Sequence, residues 1–248
     1  PSFTITEDQT RSVSVSELGS DVDGNLDSAS ISSVSAPNSF QSLDDGDTAT
    51  HTVSYTVSDT QGESASGTVT LTVNGLNDDP TTNDNTVDTI DGSNPLEEDF
   101  ASLTLSEGDF PFSDVDGDDN ALEKISIKSL PDSATEGVLK LDGAALTQAD
   151  LDASGGLTLT ATQLGDGELT FEAVENFNGD VEIDFTVFDD SDAESGQKTL
   201  TISVAPVNDA PILGPSGGTH FSTITEDDVG NTGKSVTDVL DGSVTDAD

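Results

Sequence analysis

The chain has no cysteine, methionine or tryptophan, one tyrosine, two histidines and only 6 lysines and arginines in 248 residues. Without cysteine there is no disulfide framework, no thiolate metal site and no cysteine nucleophile. With so few cations there is no clustered basic field of the kind nucleic acid or an anionic membrane surface requires. No run of 18 apolar residues and no charged-then-apolar leader occurs, so neither a membrane span nor a signal peptide is expected in this stretch. A sequence that starts at Pro1, contains no methionine and stops in Thr245-Asp246-Ala247-Asp248 is expected to be a piece of something longer.

What the chain has in excess is acid. Its 50 aspartates and glutamates leave a formal net charge of −44. Leucine, valine, isoleucine and phenylalanine persist at a level that supports folding but only thin cores, which favours several small units over one large one.

Self-similarity supports the same division. Thr56-Val57-Ser58-Asp59, Leu71-Thr72-Val73 and Asn77-Asp78-Asp79-Pro80 recur in the same order as Thr186-Val187-Phe188-Asp189, Ile202-Ser203-Val204 and Asn208-Asp209-Ala210-Pro211. Each unit opens on Thr6-Glu7-Asp8, Glu97-Glu98-Asp99 or Thr225-Glu226-Asp227. An Asp-x-Asp string follows: Asp21-Val22-Asp23, Asp114-Val115-Asp116 or Asp246-Ala247-Asp248. A proline just after Asn-Asp stiffens a short linker. The expected units are 1–79, an enlarged 80–210 with its excess in Ser133 to Gly167, and a truncated 211–248.

Val53, Tyr55 and Val57 alternate with polar residues, as do Val69, Leu71 and Val73, then Val181 to Val187 and Leu200 to Val204. Period 2 with β-branched enrichment and Gly/Asp/Asn turns predicts antiparallel strands with one wet face. Strand B is expected around Val13 and Val15, and Thr147 to Leu151 is the single helical candidate. The fold class is therefore all-β, a tandem of immunoglobulin- or cadherin-like β-sandwiches.

On a seven-strand Greek key, Glu7-Asp8, the Asp44 to Asp47 loop and Asn77-Asp78 gather at one end of the first unit. They face Asp114, Asp116, Asp189 and Asp190 of the second, while Asp21, Asp23 and Asp59 share the opposite end. Two carboxylates 4 Å apart repel by about 4 kcal/mol at an effective dielectric of 20. No basic residue lies in these motifs, so a hard divalent cation is the economical remedy. Ca²⁺ suits six to eight oxygen ligands, whereas Mg²⁺ keeps its water and Zn²⁺ wants nitrogen or sulfur.

Thr-Glu-Asp, Asp-Val-Asp-Gly, Thr-Val-Ser-Asp and Val-Asn-Asp-Ala-Pro, with Asn176-Phe177-Asn178-Gly179, together resemble the cadherin-like tandem repeats of giant bacterial surface proteins, RTX adhesins among them. The first unit carries Asp79 where that motif has alanine, and no cadherin-type Leu-Asp-Arg-Glu occurs. The resemblance implies Ca²⁺-rigidified junctions in modules that hold a ligand-binding tip away from the cell. It matches Glu7, Asn77, Asp78, Asp114 and Asp116 to a first junction and Glu98, Asn208, Asp209, Asp246 and Asp248 to a second. Asp8, Asp21, Asp23, Asp59, Asp99, Asp189 and Glu226 are the further candidate metal ligands. It also implies an extracellular or cell-surface location, neighbouring repeats as partners, and neither nucleic acid binding nor membrane insertion.

Competing readings of the same residues are weaker or remain open. Solvated Asp/Asn/Gly turns account for acidity but not for its recurrence at matched offsets. An EF-hand at Asp114 fails, with Asp119 at the glycine position and Ile125 at the twelfth. His51 and His220 are isolated, no Gly-x-Ser-x-Gly elbow accompanies a histidine and an acid, and aromatic platforms for sugar are nearly absent. The expected function is a non-catalytic, calcium-stiffened extender. The alternative is a glycan- or protein-binding module in the enlarged unit.

Overall fold

The computed structural model describes residues 1–7, 9, 11–31, 40–90, 92–116, 121–153, 156–213, 227, 229–230 and 244–245. Asp8, Glu226, Asp246 and Asp248 lie outside the described residues. The architecture is all-β, with three α-helices of about a single turn each and one 3₁₀ turn (Glu107–Asp109) among the described residues.

The N-terminal sheet contains β1 (Ser2–Thr6), β2 (Leu26–Ile31), β3 (Thr48–Asp59) and β4 (Ser64–Asn74), in the order β1-β4-β3-β2. Alternation along β3 and β4 sends one face inward, yet the burial is shallow: among the described residues the buried apolar side chains here are Tyr55, Val57 and Val73. A groove of about 310 Å³, bordered by Phe3, Ile5, Val53, Tyr55 and Leu71, runs along that face. The Tyr55 hydroxyl donates to Leu18 O at 2.7 Å, and Gly67 faces the ring so closely that a Cβ there would lie 2.7 Å from the hydroxyl. Only glycine fits that approach.

Val15, expected in a strand, instead opens α1 (Val15–Leu18). The reason is local: Ser14 N–H donates to Glu17 Oε2 at 2.9 Å and Glu17 N–H donates to Ser14 O at 3.1 Å, a reciprocal N-terminal cap. Thr147 and Asp150 make the corresponding bonds before α2 (Gln148–Asp152), and before α3 (Ala161–Gly165) Thr160 N–H donates to Gln163 Oε1 while Gln163 N–H donates to Thr160 Oγ1.

Residues 85–204 form two facing sheets. The first, ordered β10-β7-β12-β13-β5, comprises β5 (Asn85–Val87), β7 (Lys124–Ile127), β10 (Leu157–Thr160), β12 (Gly179–Phe188) and β13 (Lys198–Val204). The second, ordered β6-β11-β8-β9, comprises β6 (Leu103–Thr104), β8 (Gly137–Leu141), β9 (Ala144–Ala145) and β11 (Leu169–Ala173). Ile125, Ile127, Ile183, Phe185, Leu200 and Ile202 from one sheet and Leu139, Leu169 and Phe171 from the other are fully buried in one cluster. Phe110 packs edge-on to Phe185 with ring centroids 5.1 Å apart. The cluster contains Leu103 and not Val73, so the two bodies do not share a core. Beyond it, β14 (Ile212–Leu213) pairs with β15 (Val244–Thr245).

Two pairings depart from the expected antiparallel pattern. β1 lies parallel to β4, from Ser2 opposite Thr70 to Thr6 opposite Asn74, and β5 lies parallel to β13, from Asn85 opposite Leu200 to Val87 opposite Ile202. In both bodies the first strand runs beside the last, which returns the chain to the end where the next body begins.

Candidate metal centre

The linker between the two bodies runs from Gly75 to Asp84 and is tied down at both ends. Glu7 N–H donates to Asn74 O at 3.1 Å, and Glu7 Oε1 accepts from Leu76 N–H at 2.5 Å. Beyond the acidic pair, Thr81 and Ser113 exchange backbone hydrogen bonds of 2.8 and 3.0 Å. Gly75 passes so close to the Asp44 carbonyl that an added Cβ would sit 2.2 Å from it, which fixes the Asp44 loop against the linker.

Held this way, Asn77 and Asp78 are laid across the Asp114 end of the sandwich. Asn77 Nδ2 donates to Asp189 Oδ2 at 2.9 Å and to Asp78 O at 2.8 Å, while Asp78 N–H donates to Asp116 Oδ2 at 2.7 Å. Asp116 N–H donates in turn to Asp114 Oδ1 at 3.0 Å, and Asp189 Oδ1 accepts from Ala193 N–H at 2.8 Å. Asp116 and Asp189 are both wholly buried. Burial pushes the Asp116 carboxyl upward. The Asp78 N–H opposes that shift, and the nearby charges of Asp114, Asp78 and Asp44 add to it.

Asn77 Oδ1, Asp114 Oδ2 and Asp116 Oδ1 are buried without a hydrogen-bond partner. Leaving such an oxygen unsatisfied costs about 1–3 kcal/mol, more when it is charged. No three acidic side chains converge on one point as a finished cage among the described residues. The oxygens are instead distributed around the linker, several of them occupied by backbone N–H groups. The donor set, carboxylate and amide oxygen with no nitrogen or sulfur ligand, is that of a hard cation.

The constellation recurs at the second Asn-Asp pair. Glu98 N–H donates to Ala205 O at 2.9 Å and Glu98 Oε1 accepts from Val207 N–H at 2.5 Å, as Glu7 does with Asn74 and Leu76. Asn208 Nδ2 donates to Asp209 O at 2.7 Å, as Asn77 does to Asp78. Glu98 is buried, and the Val207 N–H followed by the Asn178 amide, 3.0 Å away, holds its carboxyl below the ordinary glutamate range. Asn208 is exposed. Asp99 is exposed too, in a left-handed conformation with φ 69°.

Asp21, Asp23 and Asp59 are brought together at the far end of the N-terminal sheet. Asp23 N–H donates to Asp21 Oδ1 at 2.8 Å, and Gln61 and Glu63 N–H donate to Asp59 Oδ1. Asp21 and Asp59 border the same shallow recess.

Two groups that contact the turn carrying Asp189 were not singled out from the sequence. Lys124 pairs with Asp192, and Lys128 pairs with Glu194 at 2.8 Å, both on the turn that presents Asp189. Their signal was scarcity: they are two of 6 cations, four residues apart.

No family model matches the chain, and no curated protein matches it. Among solved structures, it is similar to fibronectin(III)-like modules of CbhA from Clostridium thermocellum, at 13% identity over 64% of this chain and 63% of that one, TM-score 0.22. It is similar also to the extracellular cadherin domains 1-4 of protocadherin gamma B7, at 12% identity over 90% and 52%, TM-score 0.39. Drosophila N-cadherin EC1-4 matches at 9% identity over 66% and 35%, TM-score 0.33. The chain thus spans less than two thirds of each of these chains. At such identity the likeness concerns fold alone.

Proposed function

We propose that the chain is a non-catalytic segment of an extracellular, surface-anchored or secreted adhesin of the bacterial RTX type, whose repeats 1–79, 80–210 and 211–248 are stiffened at their junctions by Ca²⁺. The observation that carries this reading is the trio of buried, unpartnered oxygens on Asn77, Asp114 and Asp116, on both sides of one short linker. Glu7, Asn77, Asp78, Asp114, Asp116 and Asp189 would hold the ion at the first junction, and Glu98, Asn208 and Asp209 would contribute at the second. A bound cation neutralises carboxylates that otherwise repel across the linker, so the two bodies are held at a fixed angle.

Among the described residues no helix is long and apolar enough to cross a membrane. Binding only to the ordered junction stabilises it by RT ln(1 + [L]/Kd), about 2.7 kcal/mol at a hundredfold excess over Kd. Millimolar Ca²⁺ should raise the melting temperature and lengthen the particle in small-angle scattering, with EDTA reversing both. Identical melting and scattering in Ca²⁺ and EDTA at fixed ionic strength would refute the proposal.

A further inference from the structure

The turn that presents Asp189 is held to the outer face of the sandwich by Lys124, the first residue of β7, and Lys128, the residue just after that strand. Lys128 Nζ sits 2.8 Å from Glu194 Oε1, which also accepts from Thr186 Oγ1 at 2.8 Å. Lys124 pairs with Asp192 and lies over the Phe188 ring, 4.9 Å from its centre. Both lysine side chains are about three quarters buried, at 24% and 22% exposure. Between these anchors, Val187 N–H donates to Ser195 Oγ at 2.9 Å and Ser195 N–H to Val187 O at 2.9 Å.

The chain carries no lysine before Lys124, so the corresponding turn of the N-terminal sheet has no lysine anchor from its own unit. There Ser28 stands opposite Ser58 in the register where Lys124 stands opposite Phe188. Asp59 and Glu63 correspond to Asp189 and Ala193, and the left-handed position is Gly62, with φ 95°. In the sandwich that position is Asp192, with φ 70°. Glycine takes such a conformation freely and aspartate does not. The side chain that this position gains over glycine contacts Lys124.

We propose that Lys124 and Lys128 are positioning residues for the junction: they clamp the 189–195 turn so that Asp189 meets Asn77. This rests on the calcium reading and deepens it. A lysine paired to the turn that carries Asp189 brings positive charge toward the proposed cation site, so replacing it with a neutral residue should tighten Ca²⁺ if electrostatics were its only role. Positioning has the opposite sign.

The test is a Ca²⁺ titration of the full chain followed through the Asn77 side-chain amide signal by NMR, in wild type, Lys128→Met, Lys124→Met and Lys128→Arg. The clamp predicts about fivefold weaker Ca²⁺ binding in each methionine variant, matching the roughly 1 kcal/mol a well-placed exposed pair contributes. It also predicts recovery in Lys128→Arg and unchanged melting in EDTA at high salt, where the pairs are screened. Unchanged or tighter binding in both methionine variants overturns the clamp. A wild-type Asn77 signal that ignores Ca²⁺ overturns the calcium reading itself. Should Lys128→Met lose its fold, Lys124→Met and Lys128→Arg decide the matter.

Discussion

At the Asp21 end of the N-terminal sheet, Asp23 N–H bonds to Asp21 and the Gln61 and Glu63 N–H groups cap Asp59; at the Asp114 end of the sandwich Asp116 N–H bonds to Asp114 and Ala193 N–H caps Asp189, with a linker laid across them. Val22 and Asp23 face solvent, whereas Asp116 and Asp189 have no exposed surface. Among the described residues, the buried unpartnered oxygen near the first end is that of uncharged Asn25, and near the second it includes two aspartates. The Asp-x-Asp string makes the same internal N–H to carboxylate bond in both places. What differs is the covering chain, and with it the energy of each carboxylate. An acidic loop becomes demanding of a cation only when a neighbour removes its water.

The largest test of this comparison asks whether the two ends belong to separately stable bodies. Phe185→Ala should cost about 3–5 kcal/mol, since Phe185 is fully buried against Phe110. Tyr55 is the chain's one tyrosine and lies in the N-terminal sheet, so its fluorescence reports that sheet alone. The circular-dichroism transition of the sandwich should fall while the Tyr55 transition stays in place. Equal shifts in both signals would merge the two bodies and break the comparison.

A smaller effect sharpens it. Asp116→Asn keeps an oxygen for the Asp78 N–H and removes a buried charge. In EDTA it should stabilise the chain by on the order of 1 kcal/mol while abolishing the Ca²⁺ response of the first junction. Asp23→Asn, made at the open end, should move the urea midpoint by less than about 0.5 kcal/mol equivalent. Matching gains from both would show that cover makes no difference.

The smallest expected effect concerns pH. Lys128, with Thr186 adding to it, holds the Glu194 carboxyl below the ordinary glutamate range. A carboxylate depressed in the folded state contributes stability that is complete above its unfolded pKa and fades as pH falls through its folded one. The stability gap between wild type and Lys128→Met should therefore be present at neutral pH and close on acidification below the ordinary glutamate value. A gap that widens in acid would contradict the pairing.

Much of the strand layout was legible because β3, β4, β12 and β13 alternate cleanly. Val13 and Val15 misled by fitting period 2 equally well; the Ser14-x-x-Glu17 spacing was the better signal, and it marks a helix start. Parallel pairing of β1 and β5 leaves no trace in periodicity, since a strand alternates the same way whichever direction its neighbour runs. At the junction, the acidic residues were readable as a repeated pattern, and the structure brings Glu7, Asn77, Asp78, Asp114, Asp116 and Asp189 to the linker. Asp246 and Asp248 lie outside the described residues, so the second junction is seen from one side. The lysine clamp was not readable, because Lys124 and Asp192 are 68 residues apart and no local pattern links them.

The parallel pairing of first and last strands also sets how each body meets a pull along the chain. Tension enters β1 at its start and leaves β4 at its end, so the two strands are drawn past each other lengthwise. Their hydrogen bonds, from Ser2–Thr70 to Thr6–Asn74, are loaded together in shear rather than peeled one at a time. β5 meets β13 over a shorter register, Asn85–Leu200 to Val87–Ile202, so under the same force the sandwich has fewer such bonds to resist sliding. With the thicker core in one body and the longer shear seam in the other, heat and traction need not select the same weakest point.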